Sequence, residues 1–431
     1  MDTLDTVLEA TSAAPLEAAE RVALTIDDAC LFIYTSGTTG QPKAATISHY
    51  RVLAIMNGFS AIMGARASDK MYVALPLYHS SGGLLALGAT LTVGGAAIIK
   101  DRFSTTEFWP DIVRHQATMF QYIGELCRYL LNAPVCAEER QHKIRLICGN
   151  GLRPDIWPEF KARFRLPKII EFYGATEGNV VLVNHDGRIG SVGRISAWSK
   201  TLFPTEIIRF DFDSQMPLRD ADGRCTRCSP DEIGEMIGRI DRNAARPTSR
   251  FDGYADKQAT QSKILHDVFE DGDLWFRTGD LMRRDALGYF YFVDRIGDTF
   301  RWKGENVSTS EVAEALSIFP GIGEANVYGV KVPHHEGRAG MAALVWPGGV
   351  GDLEGLYQHL CQRLPDYARP VFLRITDEIE ATTTFKQRKT TLVKQGFNPT
   401  TTTDAVFIAK PAIVDGGGFQ RLTPELFTTV G

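Results

Sequence analysis

Short apolar runs alternate with stretches of helical periodicity through the first part of the chain. The runs at 29–34, 71–75, 96–99, 118–123, 144–148 and 168–172 have the length and composition of strands. Between them, residues 48–61, 83–91, 105–115, 125–132 and 155–164 space their apolar side chains as helices do. Ser104 with Glu107 predicts a capping box for the third of these helices, and Pro110 predicts a kink in it. Such alternation predicts an α/β fold, a largely parallel sheet covered by helices. From 182 to about 294 the runs shorten and are broken by Gly, Pro and Asp, which predicts a β-rich subdomain. After Arg295, Ser308 and Glu311 form a second capping box opening a helix that runs to Phe319. Strands at 325–331, 341–345 and 371–375 and a helix at 352–363 complete a small α+β unit, followed by a poorly patterned tail containing the threonine run 400–403. The predicted division is a large domain over 1–296 and a small one over 297–431, with Gly297 as the pivot.

Composition narrows the classes. The 431 residues are 44% hydrophobic and 23% charged, as in soluble globular proteins, and the net charge of −5 argues against a nucleic-acid partner. Seven cysteines in so long a chain are not a disulfide framework and point to a reducing, intracellular compartment. Cys225 and Cys228 make a lone C-x-x-C without a second pair at metal-ligand spacing, so a plain loop outweighs a zinc site. The start of the chain lacks the basic and apolar regions of a signal peptide. Its longest apolar stretch, 84–99, is interrupted by Gly88, Gly94 and Gly95 and is too short to span a bilayer. It reads as a core helix plus a core strand, with interfacial membrane contact as the lesser reading. The final tripeptide is not a peroxisomal signal. The expected location is the cytoplasm or the periphery of an organelle membrane.

Candidate chemistry starts immediately after the first strand. Thr35, Ser36, Gly37, Thr38, Thr39, Gly40 and Lys43 form a loop of glycines, hydroxyls and one cation, the means by which a chain wraps a polyphosphate. It is not the nucleotide loop in which Gly-Lys runs straight into Ser or Thr, because Pro42 precedes Lys43 and Ala44 follows. Tyr173, Thr176 and Glu177 follow another strand, where open α/β sheets bind ligands. Tyr173 offers an aromatic face, Thr176 a donor to phosphate and Glu177 an oxygen ligand for Mg²⁺. Asp280 offers a carboxylate to ribose hydroxyls, Arg295 a cation near the joint, and Lys386 a lysine in a threonine-rich loop.

In this order the segments resemble the adenylate-forming superfamily of acyl-CoA synthetases, luciferases and nonribosomal adenylation domains. Within it the chain is most similar to the fatty acid transport protein/very-long-chain acyl-CoA synthetase family. The likeness is carried by the QYIGELCRYLLN run starting at Gln121, by Gly149-Asn150-Gly151-Leu152-Arg153 and by the YGATEGN run starting at Tyr173. It continues in Arg250-Phe251-Asp252-Gly253-Tyr254, the GDTFRWKGENVST run from Gly297, and the EGRAGM run from Glu336. The resemblance implies an adenylate-forming fold, a large domain with a mobile lid. It also implies activation of a hydrophobic carboxylic acid by ATP and Mg²⁺ to an acyl-adenylate, then transfer to coenzyme A. Carried over by motif, Thr35 to Lys43 would hold the β- and γ-phosphates, Thr176 the α-phosphate and Glu177 the Mg²⁺. Gly149, Asn150, Gly151 and Tyr173 would enclose the adenine, and Asp280 and Arg295 the ribose. Lys386 would bridge carboxylate and α-phosphate. Lys303 and Gly304 would reach the site after the small domain rotates, and His79 would line the acyl pocket.

Two departures stand out. Thr383 stands in the lysine loop at a position where the family usually has glycine. Family members also carry a long segment, in many cases membrane-anchoring, upstream of the phosphate loop, which here begins close to Met1. The large domain is therefore expected to lack part of its fold and to expose apolar surface and unpaired edges. A short protein and an incomplete gene product both fit that expectation. Besides the ligase, a catalytically inactive remnant that binds nucleotide or a partner and a membrane-associated fatty acid uptake factor are the alternative readings.

Overall fold

Successive residues of the large unit's central strands point to opposite faces, and two apolar layers follow from that period. On one face, Tyr72, Phe120, Ile147 and Ile169 pack with Trp109, Leu126 and Phe160; on the other, Met71, Met119, Cys148 and Phe172 pack with Ile47, Phe59 and Leu85. The sheet between these layers has six strands in the order Ala96–Ile99, Lys70–Val73, Met119–Ile123, Leu146–Asn150, Ile169–Gly174 and Val181–Asn184. The first five are parallel and the last is antiparallel. Helices Phe108–His115, Gly124–Asn132 and Trp157–Arg163 supply the first layer, and His49–Met63 with the Ser81–Gly88 turn supplies the second. The computed structural model describes residues 3–35, 42–195, 200, 204–212, 214–241, 249–381, 387, 389–410 and 417–430.

Three local expectations change. The strand foreseen at 29–34 does not join the parallel sheet: Ala29–Thr35 forms a two-stranded antiparallel hairpin with Lys43–Ser48, Thr35 opposite Lys43. Phe32 and Tyr34 on this strand are exposed, at 55% and 66%. Pro110 does not kink its helix. It is the third residue of Phe108–His115, inside the first turn, where a backbone N–H has no intrahelical partner to lose. The third change is at residues 81–88, which wind as a π-helix rather than an α-helix.

The β-rich subdomain is a six-stranded antiparallel sheet in which Leu274–Arg284 lies between Gly234–Ile240 and Tyr289–Arg295. Cys225 packs into one apolar cluster there and Cys228 against another, so both sulfurs serve packing. Beyond Arg295, Gly297 has φ +93°, a conformation L side chains rarely adopt. Residues 300–430 then build a core of their own on the five-stranded sheet Glu324–Val330, Ala339–Val345, Phe372–Thr376, Ala405–Lys410 and Gly418–Arg421. Ser308 caps the helix Thr309–Ser317 as its pattern foretold, accepting from the N–H of Glu311. The last two strands of that sheet come from the tail that showed no pattern.

Candidate functional site

The cavity that the site residues share lies at the carboxyl ends of the parallel strands, against the antiparallel subdomain, and holds about 820 Å³. Thr35, Lys43, His79, Asn150, Gly151, Tyr173, Thr176, Glu177, Asp280 and Arg295 all line it. Ser36, Gly37, Thr38, Thr39, Gly40 and Lys386 fall outside the described residues.

Tyr173 closes the strand Ile169–Gly174, and its hydroxyl donates to Asp280 Oδ2 at 2.5 Å. Burial, then the Asp280 charge, raises the phenol pKa well above its ordinary value, so the hydroxyl stays a donor. Asp280 stands directly across the strand pair from Arg295, whose Nε is 3.5 Å from Oδ1. The Asp280 N–H is fixed by Thr278 Oγ1 at 3.1 Å, and Thr278 donates to the carbonyl of Met236 at 2.6 Å. An aromatic face is thus held on a strand of the parallel sheet, against a carboxylate and a guanidinium on two neighbouring strands of the antiparallel sheet.

The loop after Tyr173 is held from beneath by Arg51. From the first turn of His49–Met63, its guanidinium donates to the carbonyls of Thr176 at 2.9 Å and Ala175 at 3.1 Å, and to that of Gly178. Thr176 Oγ1 lies 3.1 Å from Ser80 Oγ. One Glu177 oxygen accepts from the Tyr254 hydroxyl at 2.7 Å, and the Lys43 ammonium sits 5.8 Å from the Tyr254 ring centre. Tyr254 is anchored because Gly253–Ala255 pairs with the hairpin: the Thr46 N–H donates to the Gly253 carbonyl, and Ala255 N–H to that of Ala44.

Opposite Tyr173, the Gly149–Arg153 turn depends on close backbone approach. A Cβ on Gly149 would lie 2.1 Å from the Tyr122 carbonyl oxygen, and one on Gly124 would lie 1.6 Å from that of Gly151. Gly149 therefore sits behind the wall, while Asn150 and Gly151 face the cavity. Glu171 holds the turn by accepting from the N–H groups of Gly151 and Leu152 and from Tyr122 Oη at 2.5 Å. Burial outweighs those three donors and pushes the Glu171 carboxyl up to about 8.

The cavity's other end is apolar, where Ile55, Phe59, Leu85 and Phe172 belong to one packed cluster; Leu75 and His79 also line the cavity. Phe59 meets Phe172 edge-on at 4.8 Å. Lys303 and Gly304 are not in the wall. They form the tip of the hairpin Phe300–Trp302/Glu305–Val307, where Lys303 Nζ pairs with Asp366 at 2.7 Å.

Arg51, Glu171 and Lys263 were invisible as site residues in the sequence, since isolated charges give no periodic signal. Tyr254 stood in a motif that carried the family likeness, and that was the available cue.

Residues 2–237 match the sequence model of the AMP-binding enzyme family, and 311–386 match that of the AMP-binding enzyme C-terminal domain. The chain belongs to the AMP-binding enzyme family. This family member is 47% identical over 407 residues to long-chain fatty acid transport protein 3 of Homo sapiens, covering 94% of this chain and 58% of that one. It is 45% identical over 427 residues to long-chain fatty acid transport protein 1 of Homo sapiens, covering 99% and 65%. The chain thus spans less than two thirds of the length of these curated relatives. Among solved structures, ATP-bound MatB from Rhodopseudomonas palustris superposes with a TM-score of 0.71 at 24% identity, covering 86% of this chain and 69% of that one. The o-succinylbenzoate coenzyme A synthetase of Bacillus subtilis in complex with AMP gives 0.66 at 25%, covering 85% and 69%. The fold is that of the adenylate-forming enzymes. Among the described residues no helix is long and apolar enough to cross a membrane.

Proposed function

We propose that this AMP-binding enzyme is an ATP-dependent ligase that activates a hydrophobic carboxylic acid as its acyl-adenylate and transfers the acyl group to coenzyme A. The observation that carries the reading is one cavity with two chemically distinct ends. Tyr173, Asp280 and Arg295 stand at its polar end, and Ile55, Phe59, Leu85 and Phe172 at its apolar end.

The donor set suits a nucleotide. Asn150, Gly151 and Tyr173 flank a base, Asp280 accepts from ribose hydroxyls, and Thr35, Lys43 and Thr176 provide donors and charge for phosphates. Among the described residues no group of three or more His, Cys, Asp or Glu side chains could hold a metal by itself. A single carboxylate, Glu177, suits Mg²⁺ that arrives on phosphate oxygens. Bound there, the ion would supply charge neutralisation. The acid's chain would lie along the apolar end with its carboxylate toward Thr176. One carboxylate oxygen attacks the α-phosphorus, and pyrophosphate departs. In the second step the coenzyme A sulfur attacks the acyl carbon and AMP leaves with the bridging oxygen. Like charges meet in the first step, so fixed donors and cations lower its barrier. The small unit, 297–431, would carry Lys386 to the first step and the Lys303-Gly304 tip to the second, with Gly297 as the joint.

Pyrophosphate exchange into ATP over a panel of carboxylic acids tests the reading. Exchange that rises with the acid's apolar chain supports it, and no exchange with any acid refutes it.

A further inference from the structure

Lys263 is a cation inside the cavity that has no carboxylate ion-pair partner among the described residues. It follows the helix Lys257–Gln261, and its backbone is pinned because its carbonyl accepts from the N–H of Arg277 at 2.8 Å. Among the described residues its ammonium meets one acceptor, the Thr278 carbonyl at 3.3 Å, and it lies 5.9 Å from the centre of the Phe276 ring. A Cβ built on Gly279 would stand 3.1 Å from the nitrogen, so the ammonium lies against the strand segment that carries Asp280. Among the described residues no carboxylate forms an ion pair with it. Glu177, Asp280 and Glu235 all act on its charge, but each is engaged elsewhere. Glu177 accepts from Tyr254, Asp280 from Tyr173, and Glu235 from Arg277 at 2.7 Å. Burial lowers the Lys263 pKa from its ordinary value. An ammonium has three donors, and one desolvated with a single long hydrogen bond is poised for an anionic ligand.

We infer that Lys263 is a phosphate ligand of the bound nucleotide, contacting its α-phosphate between the ribose carboxylate Asp280 and the Mg²⁺ carboxylate Glu177. The inference rests on the nucleotide reading of the cavity. Lys263 belongs to the large unit, so this contact persists when the small unit swings, and it would hold both the adenylate and the AMP product. Binding then depends on phosphate charge, whereas a lysine that merely braces Thr278 would affect the whole site alike.

The test is equilibrium binding of adenosine, AMP and MgATP to the parent protein and to Lys263→Met and Lys263→Arg. For Lys263→Met the expected result is AMP and MgATP weakened about tenfold or more, with adenosine changed by less than about twofold. Lys263→Arg should recover most of the AMP affinity. Equal weakening of all three ligands, or none, overturns the inference. Should Lys263→Met fail to fold, amine-selective labelling of the parent chain decides: AMP should protect Lys263 and adenosine should not. Equal labelling with both ligands overturns the inference. A parent protein that binds none of the three refutes the nucleotide reading itself, an outcome distinct from parent binding that Lys263→Met leaves unchanged.

Discussion

Arg128, on the helix Gly124–Asn132, pairs across the joint with Glu324, which opens the small unit's first sheet strand; Nη2 and Oε1 are 3.1 Å apart. The Arg128 side chain is only 10% exposed, Nη1 also donates to the Gly323 carbonyl, and the Tyr129 hydroxyl reaches the same Glu324 oxygen at 3.2 Å. The two units are therefore latched by a nearly buried ion pair. A double-mutant cycle with Arg128→Met and Glu324→Gln should give a coupling of about 1–2 kcal/mol in denaturation experiments. A coupling indistinguishable from zero would show that the contact contributes nothing to docking.

Asp280 meets both Tyr173 and Arg295, and in the proposed complex it would accept from the ribose. Asp280→Ala should weaken ATP binding by roughly 1–3 kcal/mol, the usual cost of a lost charged acceptor. Calorimetry with ATP checks it, and an unchanged affinity would remove Asp280 from the nucleotide site.

Arg51 touches no substrate in this account; it holds the carbonyls of residues 175, 176 and 178, between which Thr176 and Glu177 project. Arg51→Ala should slow pyrophosphate exchange by about tenfold or more while the affinity for adenosine stays near the parent's, since each lost charge-assisted bond is worth about 1.5–3 kcal/mol. Loss of adenosine binding to the same degree would mean that the whole cavity, not this loop, depends on Arg51.

Much of this was legible in the chain. Strands such as Met119–Ile123 and Leu146–Asn150 are buried on both faces and read as mostly apolar runs. Tyr173, Thr176, Glu177 and Arg295 were legible as candidates because they sit in compact motifs at strand ends, and Asp280 because it sits in the short RTGD motif. The hairpin strand Lys43–Ser48 was not, because its partner is a local neighbour and its residues, KAATIS, lack strict alternation. Strands Ala405–Lys410 and Gly418–Arg421 are short and lie in a Thr- and Gly-rich tail, so only pairing to Phe372–Thr376 and to each other defines them. Arg51 and Lys263 acquire meaning only through tertiary contacts with segments far away in sequence.

Glu171 gives a pH signature. Its folded pKa, about 8, lies above its ordinary 4.5, so the folded state holds a proton that the unfolded chain releases. Its contribution is fully present below pH 4.5 and is lost as pH rises toward 8, with a limiting slope of about 1.4 kcal/mol per pH unit. Glu171→Gln keeps the size and removes the titration, so its stability should fall less steeply than the parent's across that window. Parallel stability curves for the two proteins would place the Glu171 proton elsewhere.

The central claim is that a carboxylate oxygen of the acid becomes bonded to the α-phosphorus. A hydrophobic acid labelled with ¹⁸O in both carboxyl oxygens, incubated with the protein, MgATP and coenzyme A, tests it by mass spectrometry of the products. The account predicts AMP carrying one ¹⁸O, unlabelled pyrophosphate and a thioester retaining the other label. Unlabelled AMP, or ADP with label in inorganic phosphate, would contradict it.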